Sequence, residues 1–570
     1  MGTPRAVRIV TEVAAVDRPF DYLVTDATAQ VGVGDRVRVD FNHRSVRGWV
    51  LEEVEPTPDL KPLNKWLGFG PPPALLDLLR WAGERWYGPL SRFLIATSPK
   101  RLVMSLPTPP TSMALAAAVQ PIGPLAEPGV IGVAPTTDPL GLILGVYEAT
   151  RGRTGSLLVL VPTEAWANRL RGRLEQRGCA VASGEVQWDR MRAGWPVVVG
   201  ARGTALAPVP KVSAAVIVDA DDEAYRSEAV PTWHALTMLR ERCRRDGAPM
   251  WATSMIPSPE LIGTEAYQHS ANLAGGWPRI EVVDRRLSDP HDGVLSREAL
   301  DAAHQALDGD ELVAVVVVLQ RLGTGRLFAC RRCGELARCL TCGQAEQEDG
   351  ELIACRERHD PRLPFCRHCG ATALKRVRVG VSTLARDVAA QLSQPVSEVT
   401  SSSDPALALA RVVVGTEAVW QRVRRCATVI FVDFDQYLLA PRASARREAI
   451  MAVGKAGRLV GARRDGRGPV VLQTRRGEDP VVSALRDGEF DSIIEEDLET
   501  ARILGLAPFG ATASVTGPGA VQFIAQLRSE PVTIDEAADG FVVRAGDVAT
   551  LTRALRATPR PTERVRVAVH

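Results

Sequence analysis

Apolar and polar positions alternate with a period of two over residues 7–13, 20–24, 36–41 and 47–50, and Gly32, Gly34 and Gly48 punctuate the runs. Successive strand side chains point to opposite faces, so this pattern predicts small-barrel β structure over residues 1–70. One face would carry Arg36, Arg38, His43, Arg44 and Arg47, a set that can meet phosphates or simply face water. After Pro71-Pro72-Pro73 the period becomes 3.6, with Leu75, Leu78, Leu79, Ala82 and Trp86 on one stripe, and a helix is expected. A stretch rich in proline and alanine, 107–128, reads as a linker. Beyond it short apolar runs interleave with helical segments at 156–161, 164–177, 197–199, 214–218 and 233–245, an α/β layout. A second such region holds the runs 312–319, 411–414, 428–432 and 470–473, and past about Pro480 a mixed tail ends in a strand pattern over 565–569.

Composition narrows the class. A chain of 570 residues is too long for one core and predicts about three to five domains. With 45% hydrophobic and 24% charged residues, general disorder is excluded. The net charge of +2 generates no overall field for a polyanion, so any basic surface must be local. Most basic residues are arginine, whose planar fork suits phosphate, although a compositional bias toward Arg and Ala produces the same count. No stretch reaches the roughly 18 apolar residues that span a bilayer, and the start runs straight into a strand pattern, so a cytosolic protein without membrane contact is expected.

Seven of the ten cysteines lie between 330 and 369, as Cys330-x2-Cys333, Cys339-x2-Cys342, a lone Cys355 and Cys366-x2-Cys369. A C-x2-C knuckle turns two thiolates toward one ion, and tetrahedral zinc needs two knuckles, so three and a half imply two Zn2+. Arg358 stands where a knuckle from Cys355 would close, and a permanent cation cannot bind metal. His359 is next to it, and a Cys-x3-His pair is an acceptable knuckle. Structural disulfides and buried thiols are the competing readings, and clustering at this spacing in an otherwise cysteine-poor chain suits neither.

The order of several fragments resembles the PriA family of replication-restart primosomal proteins, a superfamily 2 helicase type. Asp17-Arg-Pro-Phe-Asp-Tyr22 and Gly34-Asp-Arg-Val-Arg-Val-Asp-Phe41 resemble that family's domain for the 3′ end of a nascent strand. Val197-Val-Val-Gly-Ala-Arg202, Ala207-Pro208, Val216-Ile-Val-Asp219 and Trp233-His234-Ala235 resemble its first motor lobe. Val414-Gly415-Thr416, Asp433-Phe-Asp435 and Gly454-Lys-Ala-Gly-Arg458 resemble its later motifs, with the cysteines between. The resemblance implies two RecA-like lobes with a β-barrel DNA-binding domain at 1–70, a winged-helix-like module at 71–106 and the linker 107–128. Lobe 1 then falls at 129–275 and lobe 2 at 276–328 and 372–480, with a zinc module inserted at 329–371 and a C-terminal α+β domain at 481–570. It also implies the zinc pairing: Cys330, Cys333, Cys366 and Cys369 around one ion, and Cys339, Cys342 and Cys355 around the other, with His359 offered as the fourth ligand. By the same carry-over Phe20, Asp21 and Lys61 would pocket a 3′-terminal nucleotide, and Asn42 replaces the glycine of that pocket.

The motor chemistry departs from the pattern. A helicase cradles triphosphate in a glycine-rich loop bearing a phosphate-binding Lys and a Mg2+-binding hydroxyl. Here the corresponding turn is Ala134-Pro-Thr-Thr-Asp-Pro-Leu-Gly141, which places Pro139 and Leu140 at those two positions. Two prolines remove backbone donors, and Asp138 repels phosphate. In Asp219-Ala220-Asp221-Asp222 the Mg2+ carboxylate remains while Ala220 holds the place of the base, and Asp221 is offset to the other strand face. Lys455 stands where the family has the first of two arginines, and Arg458 matches the second. Arg442, Arg446, Arg447, Lys455, Arg458, Arg463, Arg464 and Arg467 form a basic stretch, either phosphate contacts or a solvated face.

The expected protein binds abandoned or stalled forks at the 3′ nascent end and promotes primosome assembly and reloading of the replicative helicase without unwinding, and ATP is not expected to bind. Partners implied by the resemblance are forked DNA, the replicative helicase and its loader, and single-strand DNA-binding protein, at the nucleoid. The alternatives are an active 3′-to-5′ helicase and a zinc-containing protein adaptor.

Overall fold

The computed structural model describes the chain except residues 1–3, 14–17, 112–126, 264–266, 270–273, 290–291, 321–327, 336, 342–345, 350–351, 356–358, 360, 377–380, 441, 528–530 and 538. Asp17, most of the expected linker, Cys342 and Arg358 therefore lie outside the described residues.

The N-terminal alternation forms a five-stranded antiparallel sheet in the order Phe20–Val24, Arg5–Thr11, Arg44–Val54, Arg36–Phe41, Lys65–Trp66. Val7, Ile9, Val37, Val39 and Val50 line its interior. The hairpin between the third and fourth strands turns through Asn42 and His43 at φ 48° and 59°, the left-handed pair a two-residue hairpin demands. Asparagine tolerates that region better than most side chains, which suits Asn42 to the turn. The helices Pro73–Arg85 and Leu90–Thr97 follow. Their stripe and their trailing segment pack back on the barrel: Trp49 Nε1 donates to Ser98 Oγ at 2.7 Å and Arg36 Nη1 to the Pro99 carbonyl at 2.8 Å. Gly34, at φ 93°, permits this, because a Cβ there would stand 2.0 Å from the Pro71 carbonyl oxygen.

The first α/β region is a seven-stranded sheet, parallel at every pairing, in the order Tyr267–His269, Gly129–Gly132, Met250–Ser254, Val212–Ile217, Ser156–Leu160, Val197–Gly200, Val181–Ala182. Its strands are almost wholly buried because helices cover both faces, which is why they read as continuous apolar runs. The second is a six-stranded parallel sheet, Arg279–Asp284, Pro469–Thr474, Thr428–Phe431, Val315–Val318, Val412–Gly415, Val396–Val399. A four-stranded antiparallel sheet closes the chain, with Ala511–Thr516 flanked by Gly540–Ala545 and Arg566–Val569. Its helix Val548–Ala557 leans on the N-terminal helices, where Arg556 Nη2 donates to the Gly83 carbonyl at 2.7 Å. One apolar core is shared by those helices, one face of the first parallel sheet and the C-terminal sheet.

The two parallel sheets meet along a seam. Ala134, Met255 and Ile256 of the first lobe are buried in the same core as Val453, Ala456 and Leu459 of the second. Beside the seam opens a cleft of about 1340 Å³ lined by both lobes, including Trp166, Arg169, Trp420, Arg424 and Arg442. Among the described residues no helix is long and apolar enough to cross a membrane.

Candidate nucleotide cleft, metal centre and DNA-end surface

The strand Gly129–Gly132 leads into the turn where a phosphate loop would sit. Thr137 N donates to the Ala134 carbonyl at 3.0 Å, and Thr136 Oγ1 donates to the Gly276 carbonyl at 2.8 Å, so the turn closes on protein groups. The helix Leu140–Thr150 begins beyond it. A free helix N-terminus offers amides to an anion, but here Asp138 Oδ1 already accepts from Leu140 N at 3.1 Å. Arg173 grips the same carboxylate at 3.0 and 2.5 Å. Burial opposes ionisation of Asp138, yet the Arg173 and Leu140 hydrogen bonds overcome it and hold the group below the usual carboxylate range. The position a phosphate would take thus carries a fixed negative charge with its own counter-ion.

Asp219, just past the strand Val212–Ile217, is 1% exposed and left-handed at φ 52°. Its partner comes from the other lobe: Arg458 Nη2 to Oδ1 at 2.7 Å and Nη1 to Oδ2 at 2.5 Å. Arg458 also donates from Nε to the Pro135 carbonyl at 3.0 Å and stacks over Trp166 at 5.0 Å. Ala220 is buried, without a group to move a proton. Asp221 Oδ2 accepts from Ser254 Oγ at 2.8 Å and Ser258 N at 3.2 Å, which ties it to the next loop. Lys455 Nζ lies 2.8 Å from Asp222 Oδ2. His234 is buried with Nδ1 3.8 Å from Glu260, and burial holds it below the ordinary histidine value. Pro139 and Leu140 offer a triphosphate neither an ammonium nor a hydroxyl.

The basic stretch of the second lobe, expected as phosphate contacts or a solvated face, is mostly paired with groups of the fold. Arg442 pairs with Glu448 at 2.5 Å, Arg446 with Glu496 at 2.5 Å, Arg447 with Asp497 at 3.1 Å and Arg467 with Glu311 at 3.2 Å. Arg463 donates to the Leu485 carbonyl at 3.4 Å, and Arg464 lies 3.8 Å from Asp465. Glu311, Glu496 and Asp497 come from segments distant in sequence, so the stretch alone could not reveal them. Asp433 and Asp435 are buried together; burial and the neighbouring carboxyl push Asp433 up to about 7.

In the inserted module the sulfurs of Cys330, Cys333, Cys366 and Cys369 all lie within 4.8 Å of one another, and a second group gathers Cys339, Cys355 and a ring nitrogen of His359 within the same distance. The knuckles are built as expected: Arg332 N points at Cys330 Sγ and His359 N at Cys355 Sγ, both at 3.3 Å. Burial opposes ionisation of Cys330, but the Cys333 and Arg332 amides and the neighbouring thiols bring it down to about 7. Cys333 is pushed up to about 12, first by burial and then by the competing thiols. Four crowded sulfurs cannot all ionise unaided, and a divalent cation resolves that conflict; the donor set fits Zn2+. Sequence reasoning missed the pair that braces the module. Glu346 is fully buried and accepts from Arg362 Nε at 2.9 and 3.1 Å, while Arg367 stands at 3.7 Å. Arg362 also caps Phe365 at 5.1 Å.

On the N-terminal sheet Phe20, half-buried, meets Phe41 at 4.9 Å and lies under Arg18 at 5.1 Å. Lys61 is exposed beside Asp40 at 3.8 Å, while Asp21 is held by Arg8 at 2.9 and 3.1 Å. Arg36, expected on the basic face, is instead buried and spent on carbonyls of residues 99 and 101. Arg38 stays exposed, directly opposite Arg47 on one neighbour and Lys65 on the other. Like charges facing each other across strands repel. Only Arg47 of the three has an acidic partner among the described residues, Glu12 at 3.6 Å.

Residues 8–99 match the 3'DNA-binding domain (3'BD) family of PriA. Among curated proteins, Replication restart protein PriA of Treponema pallidum is 25% identical over 65% of this chain and 61% of its own length. The Haemophilus influenzae protein of that name is 24% identical over 56% and 47%. The matched regions of such relatives span about half their length. Probable replication restart protein PriA of Mycobacterium tuberculosis is 26% identical over 88% of this chain and 85% of its own. Among solved structures the Mycobacterium smegmatis helicase Lhr aligns at 12% identity with a TM-score of 0.37, over 75% of this chain and 57% of that one.

Proposed function

From the premise that this chain belongs to the PriA replication-restart family, we propose that it is a DNA-binding restart factor that recognises abandoned forks without unwinding them. Its N-terminal domain would seat a 3′ end against Phe20 and Lys61, with the Lys65, Arg38 and Arg47 row neutralising backbone phosphates. The observation that carries the reading is the interlobe contact. Arg458 spends its guanidinium on Asp219 and the Pro135 carbonyl, and Asp138 and Arg173 fill the helix start where phosphates would dock. Loss of a charge-stabilising arginine in phosphoryl transfer costs roughly 10³ to 10⁵ in rate, and here the phosphate lysine and the base are absent as well. The two thiol-rich groups would hold structural Zn2+, since four protein ligands leave no open position for substrate. For the second group those ligands would be Cys339, Cys342, Cys355 and His359. Bound to a fork, the molecule would serve as a platform for the replicative helicase, its loader and single-strand DNA-binding protein. Competition binding tests this: forked DNA with a 3′ end at the junction should displace labelled fork far better than linear duplex does. Equal competition would remove the proposal.

A further inference from the structure

We infer that the two lobes are held closed by an internal latch, in which Arg458 and Lys455 of the second lobe take over the bridging that a nucleotide would provide. The inference rests on the reading that no triphosphate docks at residues 134–141, and concerns what joins the lobes in its absence.

Arg458 and Lys455 lie three residues apart on the helix Ala445–Val460, hence on one face. That face meets three separate segments of the first lobe. Arg458 reaches Asp219, the Pro135 carbonyl and the Trp166 ring, and Lys455 reaches Asp222. Both acids are buried, at 1% and 7% exposure. A carboxylate so placed is costly unless paired, and among the described residues no cation of the first lobe is paired with either. Opening the lobes would therefore strand two charges. A second, independent feature shows that the approach is built in. Gly454, one residue before Lys455, lies so close to the first lobe that a Cβ would stand 2.7 Å from Met255 Sδ and 3.4 Å from Pro135 Cγ. Apolar contact through Ala134, Met255 and Ile256 joins the same two lobes beside the ion pairs. A motor lobe pair that cycles must release such contacts when nucleotide leaves. This pair has them permanently, so the cleft lined by Trp166, Arg169, Trp420 and Arg424 keeps one shape.

Hydrogen–deuterium exchange of the full chain without nucleotide tests the latch. Asp222→Asn removes the charge but keeps the oxygen that caps Ala224 N at 2.9 Å, and Lys455→Met keeps the aliphatic stem. In each variant, amides of 134–139 and 219–222 should exchange at least about tenfold faster, less than a fully buried pair would give because Lys455 is part-exposed. The double variant should exchange no faster than the singles, since both remove one interaction. Wild-type exchange in either single variant, or additive effects in the double, would overturn the inference. Equal acceleration in the strands 315–318 and 428–431 would overturn it too, because Lys455 would then support its own lobe rather than join two. Mg·ATP added to the wild type in parallel reports on the functional reading alone: protection of 134–141 would remove that reading while leaving the nucleotide-free exchange to judge the latch.

Discussion

Replacing Glu346 by Gln removes one charge from the interior of the cysteine-rich module and leaves its shape unchanged. The carboxylate has no solvent exposure and the Arg362 side chain only 8%, so neither partner can be rescued by water. Breaking a buried pair from one side costs on the order of 3–5 kcal/mol, because the surviving charge stays buried without compensation. Arg367 at 3.7 Å would lose an acidic neighbour as well. Glu346 immediately precedes the strand Gln347–Asp349, and Arg362 bridges to Ile353 of its antiparallel partner, so the cost should fall on the geometry that presents Cys339 and Cys355. The assay is zinc release to a chromogenic chelator, with total zinc by mass spectrometry. Glu346→Gln should release one of about two ions on the order of 100-fold faster than wild type, by the usual conversion of about 1.4 kcal/mol per tenfold. A double variant, Glu346→Met with Arg362→Met, should recover much of the loss, since an apolar pair of similar volume often substitutes for a buried ion pair. If the single variant released zinc at the wild-type rate, or the double were worse than the single, the pair would not brace the module and the reasoning would be refuted.

Other outcomes follow from particular contacts. His359→Ala should lower metal content from about two Zn2+ to about one; unchanged content would show that another group completes the second site. Arg38→Ala should reduce the slope of log affinity against log salt by about 0.9 on duplex DNA, one phosphate contact, whereas Arg36→Ala should destabilise the domain rather than change the slope. Asp433 binds its proton more tightly folded than unfolded, with burial and Asp435 raising it to about 7. The native state therefore holds the extra proton between about pH 4 and 7, and stability falls as pH rises through that window. Asp433→Asn should flatten that fall in a urea titration series, and an unaltered profile would assign the pH dependence elsewhere.

Much of the fold was legible because its signals are local. Strand 36–41 and its hairpin partner follow from alternation alone, and the parallel sheets from apolar runs spaced by helices. The knuckles follow from two cysteines held three positions apart, a spacing that fixes geometry within one turn. The expectation for residues 134–141 was equally local, because Pro135, Asp138 and Pro139 speak against phosphate without help from the rest of the chain. What could not be read was pairing across long separations. Arg458 and Asp219 are 239 positions apart, and nothing in either neighbourhood says that one neutralises the other. The same blindness made Arg36 and the 442–467 stretch look like free cations, although carbonyls near Pro99 and acids such as Asp497 and Glu311 had claimed them. Glu346 was missed because a single buried acid in a charged segment resembles any surface glutamate until its exposure is known.

The most direct test of the account is calorimetric titration of the purified full chain with Mg·ATP, paired with hydrolysis measured with and without forked DNA. No binding heat at millimolar nucleotide and no phosphate release above a protein-free blank are expected, whether or not a fork is present. Saturable binding with fork-stimulated hydrolysis that Asp219→Ala abolishes would contradict that expectation.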